Sequence, residues 1–404
     1  MKEIGNGVCA ARGFRAAGVW CGIRKNRSKA DLAMIVSDVP CTAAGVYTKN
    51  KVKGAPLTVT QAHLADGHAQ AVICNSGNAN TCAPNGLEIA EETCVLAAEA
   101  LGLQPEDMIV GSTGVIGMEM SIEPFCYGIP LLVQALRPDG SEDAARAIMT
   151  TDTKVKEVAV EFSVGGVPCH LGAIAKGSGM IHPNMATMLC FITTDAAISA
   201  PMLRKALQED VVDSFNQVSV DRDTSTNDTV TILANGLAGN REITEAGPDY
   251  DAFTEALAFV TQKMSFLIAS DGEGASHTVV CRVSGAPDRD TARKISRSVI
   301  SSNLFKAAVF GRDANWGRIL CAIGYTDADF DVSTVDVTLQ SSAGSVLVCR
   351  HAAHSPYSEE EAAKILAEEV ITVLVDLHQG DGSATAWGCD LTYDYVKING
   401  DYRT

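Results

Sequence analysis

The segment 174–195 combines three patterns that together could position a nucleophile. Residues 176–179 form a polar, glycine-rich turn, and 182–184 form a second turn whose proline restricts the backbone of the residue before it. The run 188–192 is short, continuous and apolar, which predicts a buried strand. Thr187 stands where the polar turns enter this strand, so rigid backbone would hold its hydroxyl on one side while a loop reaches it from the other.

A threonine hydroxyl is a weak nucleophile unless a base activates it. His182 is the only histidine close to Thr187 in the sequence, and Pro183 separates the two. The other available base is the α-amino group of Thr187 itself, which becomes free if the bond to Ala186 is cut and has an ordinary pKa of about 7.7–8.0. Because Ala186 is small and leaves room for the Thr187 hydroxyl to attack its carbonyl, the bond Ala186–Thr187 is a candidate for self-cleavage. An ordinary threonine at the start of a strand, which describes most Ala-Thr pairs, is the other interpretation.

The stretch from Lys176 to Leu189, Lys-Gly-Ser-Gly-Met-Ile-His-Pro-Asn-Met-Ala-Thr-Met-Leu, resembles the processing motif of the ornithine acetyltransferase / glutamate N-acetyltransferase family of arginine biosynthesis. Members of that family cut themselves before the motif threonine and use it as an N-terminal nucleophile. The resemblance implies a cut between Ala186 and Thr187, which gives an α chain of residues 1–186 and a β chain of residues 187–404. Further segments that resemble the family, and that extend the likeness over nearly the whole chain, are 13–18, 36–40, 75–80 and 310–318.

A glycine-rich segment, 111–117, follows the predicted strand 108–110. Its three glycines let backbone N–H groups point into a cavity, as an oxyanion site requires. The spacing fits neither a dinucleotide fingerprint nor a P-loop. Taken alone, the segment is an ordinary turn; the resemblance implies that Thr113 and Gly114 form the oxyanion hole.

The resemblance also assigns substrate contacts to residues whose local patterns are ordinary by themselves. These patterns are usually structural or solvated features: a Thr/Asp turn, a lysine before a glycine, a glutamate between two glycines, and a polar C-terminal tail. For the glutamate, Glu273, the family role is to orient or deprotonate the attacking amine. The substrate-binding residues implied are Thr150, Lys176, Thr187, Glu273, Asn399 and Thr404.

The polar run 219–229 offers the oxygens of a calcium loop but lacks the central glycine and the closing glutamate of an EF-hand. We therefore predict a polar network and no metal site. The run resembles a family segment in which a glycine usually stands at the position of Arg222. This departure raises the question of how the loop accommodates an arginine there.

Composition indicates an ordinary globular protein of 404 residues, with 46% hydrophobic and 20% charged residues. A net charge of −17 argues against binding to nucleic acid or to an anionic membrane. No stretch approaches the ~20 apolar residues of a membrane helix, and the N-terminus lacks a signal-peptide pattern. The 13 cysteines are scattered without metal-ligand spacing, which favours free thiols and a cytoplasmic location.

Interspersed helix and strand patterns predict an α/β or α+β fold with mixed sheets between helical layers. The resemblance refines this to a two-lobed layered sandwich of the self-processed N-terminal-nucleophile type, assembled from two α and two β chains. The predicted helices include 87–101, 291–302 and 358–377, and the predicted strands include 32–36, 57–60, 158–164, 188–192 and 391–398.

The resemblance implies ping-pong acetyl transfer from N2-acetylornithine to glutamate through an acetyl ester of Thr187. Neither a metal nor another cofactor is required, and acetyl-CoA is a further donor that the resemblance allows. One alternative is an N-terminal-nucleophile amidase or aminopeptidase, which uses the same threonine with water as acceptor. A second is a non-catalytic protein that binds amino acids and keeps its chain intact.

Overall fold

The computed structural model describes residues 1–182 and 188–401, and the structural statements below concern those residues. The predicted cleavage site at Ala186–Thr187, the nucleophile Thr187 and the substrate residue Thr404 lie outside the described residues.

Strands and helices alternate along much of the chain. The strands are β1 (Lys2–Ile4), β2 (Phe14–Val19), β3 (Leu32–Tyr47), β4 (His68–Asn78), β5 (Met108–Val115), β6 (Lys156–Val164), β7 (Val167–Lys176), β8 (Leu189–Thr194), β9 (Val218–Ser219), β10 (Thr229–Ala234), β11 (Thr278–Ala286), β12 (Asp336–Ser341), β13 (Gly344–Arg350), β14 (Ala353–His354), β15 (Val370–Asp376) and β16 (Gly382–Cys389). The α-helices are α1 (Ala55–His63), α2 (Gly86–Leu101), α3 (Glu123–Ala135), α4 (Ser141–Ile148), α5 (Ala200–Asp210), α6 (Pro248–Ser270), α7 (Arg289–Ile300), α8 (Asn303–Phe310), α9 (Trp316–Gly324), α10 (Glu359–Ile365) and α11 (Tyr393–Asp401).

The chain forms two compact units, and each draws on separate parts of the sequence. The first comprises Met1–Gly177, Asn184–Val212 and Thr224–Met264, and the second comprises Ser178–Pro183, Asp213–Asp223 and Ser265–Thr404. The units therefore interleave along the chain, whereas the predicted cut divides it once. The division into α and β chains concerns processing, and it stays a prediction.

A mixed sheet organises the first unit, with strand order β1-β6-β7-β8-β10-β3-β4-β5 and β2 paired to β3. The pairs β8·β10 and β4·β5 are parallel, and the other pairs are antiparallel. Residues of β3 alternate between two cores: Ala33 and Ile35 pack with α4, whereas Leu32, Met34 and Val36 pack with α2 and α3. Both faces of this sheet are thus covered by helices, as predicted.

The second unit has its own sheet, with strand order β14-β13-β12-β15-β11-β16-β9. Its core joins alternate residues of β11 and β15 to the apolar faces of α7 and α9. In β15, Ile371, Val373 and Val375 are buried while the residues between them are half-buried. The predicted combination of mixed sheets and helices in an α/β fold is confirmed for both units.

The strongly periodic elements were predicted correctly, whereas the predictions for three other segments were wrong. The helix predicted for 87–101, the strand predicted for 158–164 and the buried strand after Thr187 are present as α2, β6 and β8. Residues 57–60 belong to α1, in which Pro56 occupies the first turn and the Thr60 hydroxyl donates to the Val110 carbonyl. Tertiary contacts here override the β-branched composition.

The helix predicted for 358–377 ends at Ile365, and residues 370–376 form β15 instead. The alternating β-branched residues of this run fit a half-buried strand better than a helix. The strand predicted for 391–398 is helix α11, because Thr392 accepts a hydrogen bond from the Tyr395 N–H at 3.3 Å and caps its first turn.

Candidate active site

The predicted oxyanion residues lie at the end of β5, next to a local irregularity in the β4·β5 pairing. The register of the β4·β5 pair shifts between Gly77 and Asn78, in the polar segment that ends β4. Gly114 has φ +132°, and a Cβ there would lie 2.3 Å from the Gly77 carbonyl carbon. Only glycine fits this close approach of two backbones, so the Thr113–Gly114 peptide is held in one geometry.

Asparagine side chains clamp the strand that carries Thr113. The Ser112 hydroxyl donates to Asn75 Oδ1 at 2.6 Å, and Asn227 Nδ2 donates to the Ser112 carbonyl at 3.0 Å. Asn75 Nδ2 donates in turn to the Asn78 carbonyl at 2.9 Å. All of these groups are buried, so the hydrogen bonds fix the position of the Thr113 backbone.

Lys176, the last residue of β7, reaches the oxyanion segment. Its Nζ donates a hydrogen bond to Thr113 Oγ1 at 3.3 Å, and the side chains of both residues are buried. An ammonium group can only donate, whereas a hydroxyl can donate one hydrogen bond and accept two. Thr113 therefore accepts from Lys176 and keeps its own hydrogen for another acceptor.

Asp152 connects the threonine turn to the lysine turn. Its carboxylate accepts from Lys156 Nζ and from the Gly177 N–H, both at 2.7 Å, and from the Thr150 N–H at 2.9 Å. Burial opposes its ionisation, but the positive charges of Lys156 and Lys176 and these hydrogen bonds lower the pKa of Asp152 to about 2. Asp152 and Lys156 are thus a fully buried ion pair that positions two of the predicted substrate residues.

Asp228 is a buried carboxyl group that the sequence analysis did not single out. It directly precedes β10, and the N–H of the next residue, Thr229, donates to the Met188 carbonyl at 2.9 Å. Burial raises the pKa of Asp228 well above its usual range, although Ser225, Lys176 and Thr48 act in the opposite direction. Its Oδ2 has no hydrogen-bond partner among the described residues. The available signal was an acidic residue directly before the predominantly apolar run 229–234.

In the second unit, Glu273 and Asn399 contact each other. Asn399 Nδ2 donates to Glu273 Oε2 at 2.8 Å, and the Glu273 N–H donates to the Ser178 carbonyl at 3.0 Å. A Cβ at Gly179 would lie 2.3 Å from the Glu273 carboxyl group, so a larger residue there would displace the Glu273 side chain. Glu273 is only 9% exposed, which contradicts the alternative of a solvated turn.

The backbone just before the undescribed segment is fixed by Asp221. Its carboxylate accepts from the N–H groups of Met180 at 2.7 Å and Ile181 at 2.9 Å. His182 Nδ1 lies 3.0 Å from the Ser219 hydroxyl. The polar run 219–229 therefore builds a hydrogen-bonded network, as predicted. Over residues 1–182 and 188–401, no three His, Cys, Asp or Glu side chains are grouped to hold a metal ion.

The predicted site residues that the structure describes fall into two groups. Thr113, Gly114, Thr150 and Lys176 belong to the first unit, where Lys176 contacts Thr113 and Asp152 links Thr150 to the lysine turn. Glu273 and Asn399 belong to the second unit and contact each other.

Comparison with known proteins identifies the family of this chain. A model described as the ArgJ family matches residues 15–404. The chain belongs to the ArgJ family. Similar proteins include the arginine biosynthesis bifunctional protein ArgJ of Symbiobacterium thermophilum, 52% identical over 406 residues with 100% of both chains covered. ArgJ of Bacillus subtilis is 45% identical over 406 residues, covering 100% of this chain and 98% of that one.

Two solved structures are also similar to this ArgJ-family chain. The ArgJ crystal structure from Bacillus halodurans shows 40% identity with a TM-score of 0.49, covering 52% of this chain and 97% of its own. The ornithine acetyltransferase from Mycobacterium tuberculosis, complexed with ornithine, shows 38% identity with a TM-score of 0.42. The match covers 45% of this chain and 96% of that one.

Family membership confirms the resemblance drawn from the processing motif. The protein is an acetyltransferase of arginine biosynthesis, like the bifunctional ArgJ enzymes that it matches along its whole length. Among the described residues, the structure contains no helix long and apolar enough to cross a membrane.

Proposed function

We propose that this ArgJ-family enzyme moves the acetyl group of N2-acetylornithine to glutamate through an acetyl ester on Thr187. The chain first cuts itself between Ala186 and Thr187 into an α chain (1–186) and a β chain (187–404). Two α chains and two β chains then assemble in the cytoplasm. The new α-amino group of Thr187 then accepts the hydroxyl proton as the hydroxyl oxygen attacks the acetyl carbonyl. The carbon–nitrogen bond breaks, and ornithine leaves with the proton on its nitrogen.

The observation that carries this proposal is the hydrogen bond from Lys176 to Thr113 beside Gly114. Because the Thr113 hydroxyl accepts from a cation, its hydrogen is free to donate to the negative oxygen that develops on the acetyl group. The Gly114 N–H supplies the second donor. A preorganised pair of donors of this kind typically accounts for ~10²–10³ in rate per donor.

The second half-reaction reverses the first with a different amine. The amino group of glutamate attacks the acetyl ester, the same donors stabilise the oxyanion, and N-acetylglutamate is released as the Thr187 hydroxyl regains its proton. Glu273 and Asn399 bind the charged groups of the amino acid or take up the proton of the attacking amine. The carboxylate and the side-chain end of the amino-acid substrate contact Thr150, Lys176 and Thr404. Because one amide is exchanged for another, the transfer requires little driving force.

Mass spectrometry of the purified protein with an acetyl-transfer assay tests the proposal. The natural chain should give two masses that correspond to 1–186 and 187–404, and it should form N-acetylglutamate only when glutamate is present. Thr187→Ala should remain one full-length chain without transfer activity. As a matched control, Thr338→Ala in β12 should be cut and active like the parent.

Two results would contradict the proposal in different ways. Cleavage and normal turnover in Thr187→Ala would show that another residue is the nucleophile. Release of free acetate from N2-acetylornithine at the same rate with and without glutamate would identify an amidase that uses water as the acceptor.

A further inference from the structure

The short segment 178–182, which we call the strap, is hydrogen-bonded to other parts of the second unit. If the chain is cut between Ala186 and Thr187, as proposed, the strap belongs to the α chain. The residues that hold it then belong to the β chain. The contacts of the strap therefore bear on how the two chains stay joined and on how the substrate residues of the second unit are positioned.

One end of the strap lies against the loop that carries Glu273. The Ser178 hydroxyl donates to the Asp271 carbonyl at 2.6 Å, and the Glu273 N–H donates to the Ser178 carbonyl at 3.0 Å. A Cβ added to Gly179, the next residue of the strap, would overlap the Glu273 carboxyl group. The strap thus packs directly on a predicted substrate residue.

The other end of the strap is held by the loop at Asp221. The Val220 N–H donates to the Ile181 carbonyl at 2.7 Å. The Asp221 carboxylate accepts from the Met180 N–H at 2.7 Å on Oδ2 and from the Ile181 N–H at 2.9 Å on Oδ1. Backbone N–H groups require a partner, and a charged acceptor binds them more strongly than a neutral one. Asp221 therefore fixes the strap through two of its backbone donors.

The same carboxylate has two further donors. Arg222 is exposed and adopts φ +71°, and this sharp turn brings the Asp223 N–H to Asp221 Oδ1 at 3.1 Å. The Tyr395 hydroxyl donates to Asp221 Oδ2 at 3.3 Å. Burial, and then the charge of Asp221, raise the pKa of Tyr395, so the phenol keeps its proton at neutral pH and acts as the donor. An ionised carboxylate accepts about four hydrogen bonds, which these four donors supply.

Tyr395 lies in α11, the helix that also carries Asn399. The Tyr395 N–H donates to the Thr392 hydroxyl at 3.3 Å, which in turn donates to the Gly274 carbonyl at 2.6 Å. A Cβ at Gly274 would lie 2.5 Å from the Tyr395 nitrogen, so the first turn of α11 packs tightly on the Glu273 loop. One turn further along, Asn399 Nδ2 donates to Glu273 Oε2 at 2.8 Å and to the Tyr395 carbonyl at 3.1 Å. The helix is thus a second support for the Glu273 carboxylate.

We infer that Asp221 is a positioning residue for the amino-acid substrate. Its carboxylate joins the strap to Tyr395 of α11, and these two elements together hold Glu273 and Asn399 in the geometry that binds substrate. After the cut, the same carboxylate of the β chain keeps the end of the α chain attached. The role of Glu273 in binding is taken from the proposed function, whereas the hydrogen bonds of Asp221 do not depend on it.

Hydrogen exchange of the full protein, followed by mass spectrometry, tests whether Asp221 holds the strap. Asp221→Asn keeps the shape of the side chain but removes its charge and replaces one acceptor oxygen by a donor. The amides of Met180 and Ile181 should exchange at least about tenfold faster in this variant. Asp223→Asn, at an exposed residue of the same loop, is the matched control and should exchange like the parent. Equal protection in Asp221→Asn and the parent would overturn the inference.

Steady-state kinetics tests whether the strap and α11 position the substrate residues. Asp221→Asn should raise KM for N2-acetylornithine and for glutamate ~10-fold while kcat changes less than about twofold, as expected when binding alone is lost. A lower kcat with a parental KM would refute the positioning role. Combining Asp221→Asn with Asn399→Ala should raise KM by less than the product of the two single effects, because both act through Glu273. A full product would show that Asp221 acts elsewhere.

Tyr395→Phe keeps the test decisive when Asp221→Asn does not fold or is not cut. This variant removes only the hydroxyl that donates to Asp221, so KM should rise about threefold while the strap amides exchange like those of the parent. Tyr393→Phe, at an exposed tyrosine of the same helix, is its matched control. A parental KM in Tyr395→Phe would overturn the link through α11. Exchange requires no activity, so it tests the strap even if glutamate is not the acceptor and the proposed function fails.

Discussion

Lys176 Nζ lies 3.3 Å from Thr113 Oγ1, and the two residues are 63 positions apart in the sequence. The lysine ends β7, and the threonine lies near the end of β5, so the contact depends on how the strands of one sheet are ordered. Its chemical consequence is directional. Because the lysine can only donate, the threonine hydroxyl must accept from it and can direct its own hydrogen to a developing oxyanion.

Thr113→Val should therefore reduce kcat for acetyl transfer by ~10²–10³ while the chain remains folded. Valine has nearly the same shape but no hydroxyl to donate. Thr113→Ser, which keeps the hydroxyl, should recover most of the loss, and Thr338→Val in β12 should have no effect. Steady-state kinetics of the three variants measures this, and a Thr113→Val enzyme with parental kcat would exclude the oxyanion role.

Glu273→Gln should raise KM for the amino-acid substrates by ~10–100-fold, because a charge-assisted hydrogen bond to an ammonium group contributes ~1.5–3 kcal/mol. Asn399→Ala should have a smaller effect in the same direction, since Asn399 donates to the Glu273 carboxylate at 2.8 Å and orients it. Their double variant should lose less than the sum of the two, as expected for residues in contact. Asp394→Asn, in the first turn of the same helix, is the control. Strict additivity of the two effects would argue against a shared role.

Asp152→Asn should lower the free energy of unfolding by ~3–5 kcal/mol, because it removes the carboxylate that lies 2.7 Å from the buried Lys156 ammonium group. The two side chains are 0% and 1% exposed, so water cannot replace the lost partner. Adding Lys156→Met to the first substitution should restore part of the loss. Urea unfolding measures both variants. The exposed pair Glu360–Lys364 gives a matched control, and Glu360→Gln should leave stability unchanged. A Glu360→Gln loss as large as that of Asp152→Asn would contradict the argument from burial.

His182 should make the protein less stable as the pH falls from about 6.5 toward 3. Burial and the charges of Arg297, Arg222 and Lys306 lower its pKa to about 3 in the folded protein, whereas the unfolded chain has an ordinary pKa of about 6.5. Between these values the unfolded chain binds a proton that the folded protein does not, so the free energy of unfolding rises with pH.

His182→Gln should flatten this pH dependence when unfolding is measured by denaturant titration at pH 4.5, 5.5 and 7, values within and just above the window set by about 3 and about 6.5. His68→Gln, at an exposed histidine of the first unit, should leave the slope as it is in the parent. An identical slope in His182→Gln and the parent would show that this side chain is not buried as a neutral group.

The sequence by itself determined the features that depend only on residues close to one another in the chain. The segment 176–189 indicated the family, and the periodicity of 87–101 and the hairpin turn at 165–166 gave α2 and the β6·β7 pair. Arg222 stands where the resemblance leads one to expect glycine, and it has a positive φ of +71°. Local patterns succeed here because turn residues and strong periodicity constrain the backbone within a few neighbours.

Tertiary structure alone decided the relationships that depend on strand order and burial. Residues 57–60, 370–376 and 393–401 adopt the conformation that their surroundings favour, against the local prediction. Two relationships join strands or loops that are distant in sequence: the contact of Lys176 with Thr113, and the linkage of Thr150 to Gly177 through Asp152. A third, the burial of the Asp228 carboxyl group, depends on the parts of the chain that cover it. Their charges and hydrogen bonds follow from how the chain brings distant strand ends and loops together, and no short-range pattern of residues encodes that arrangement.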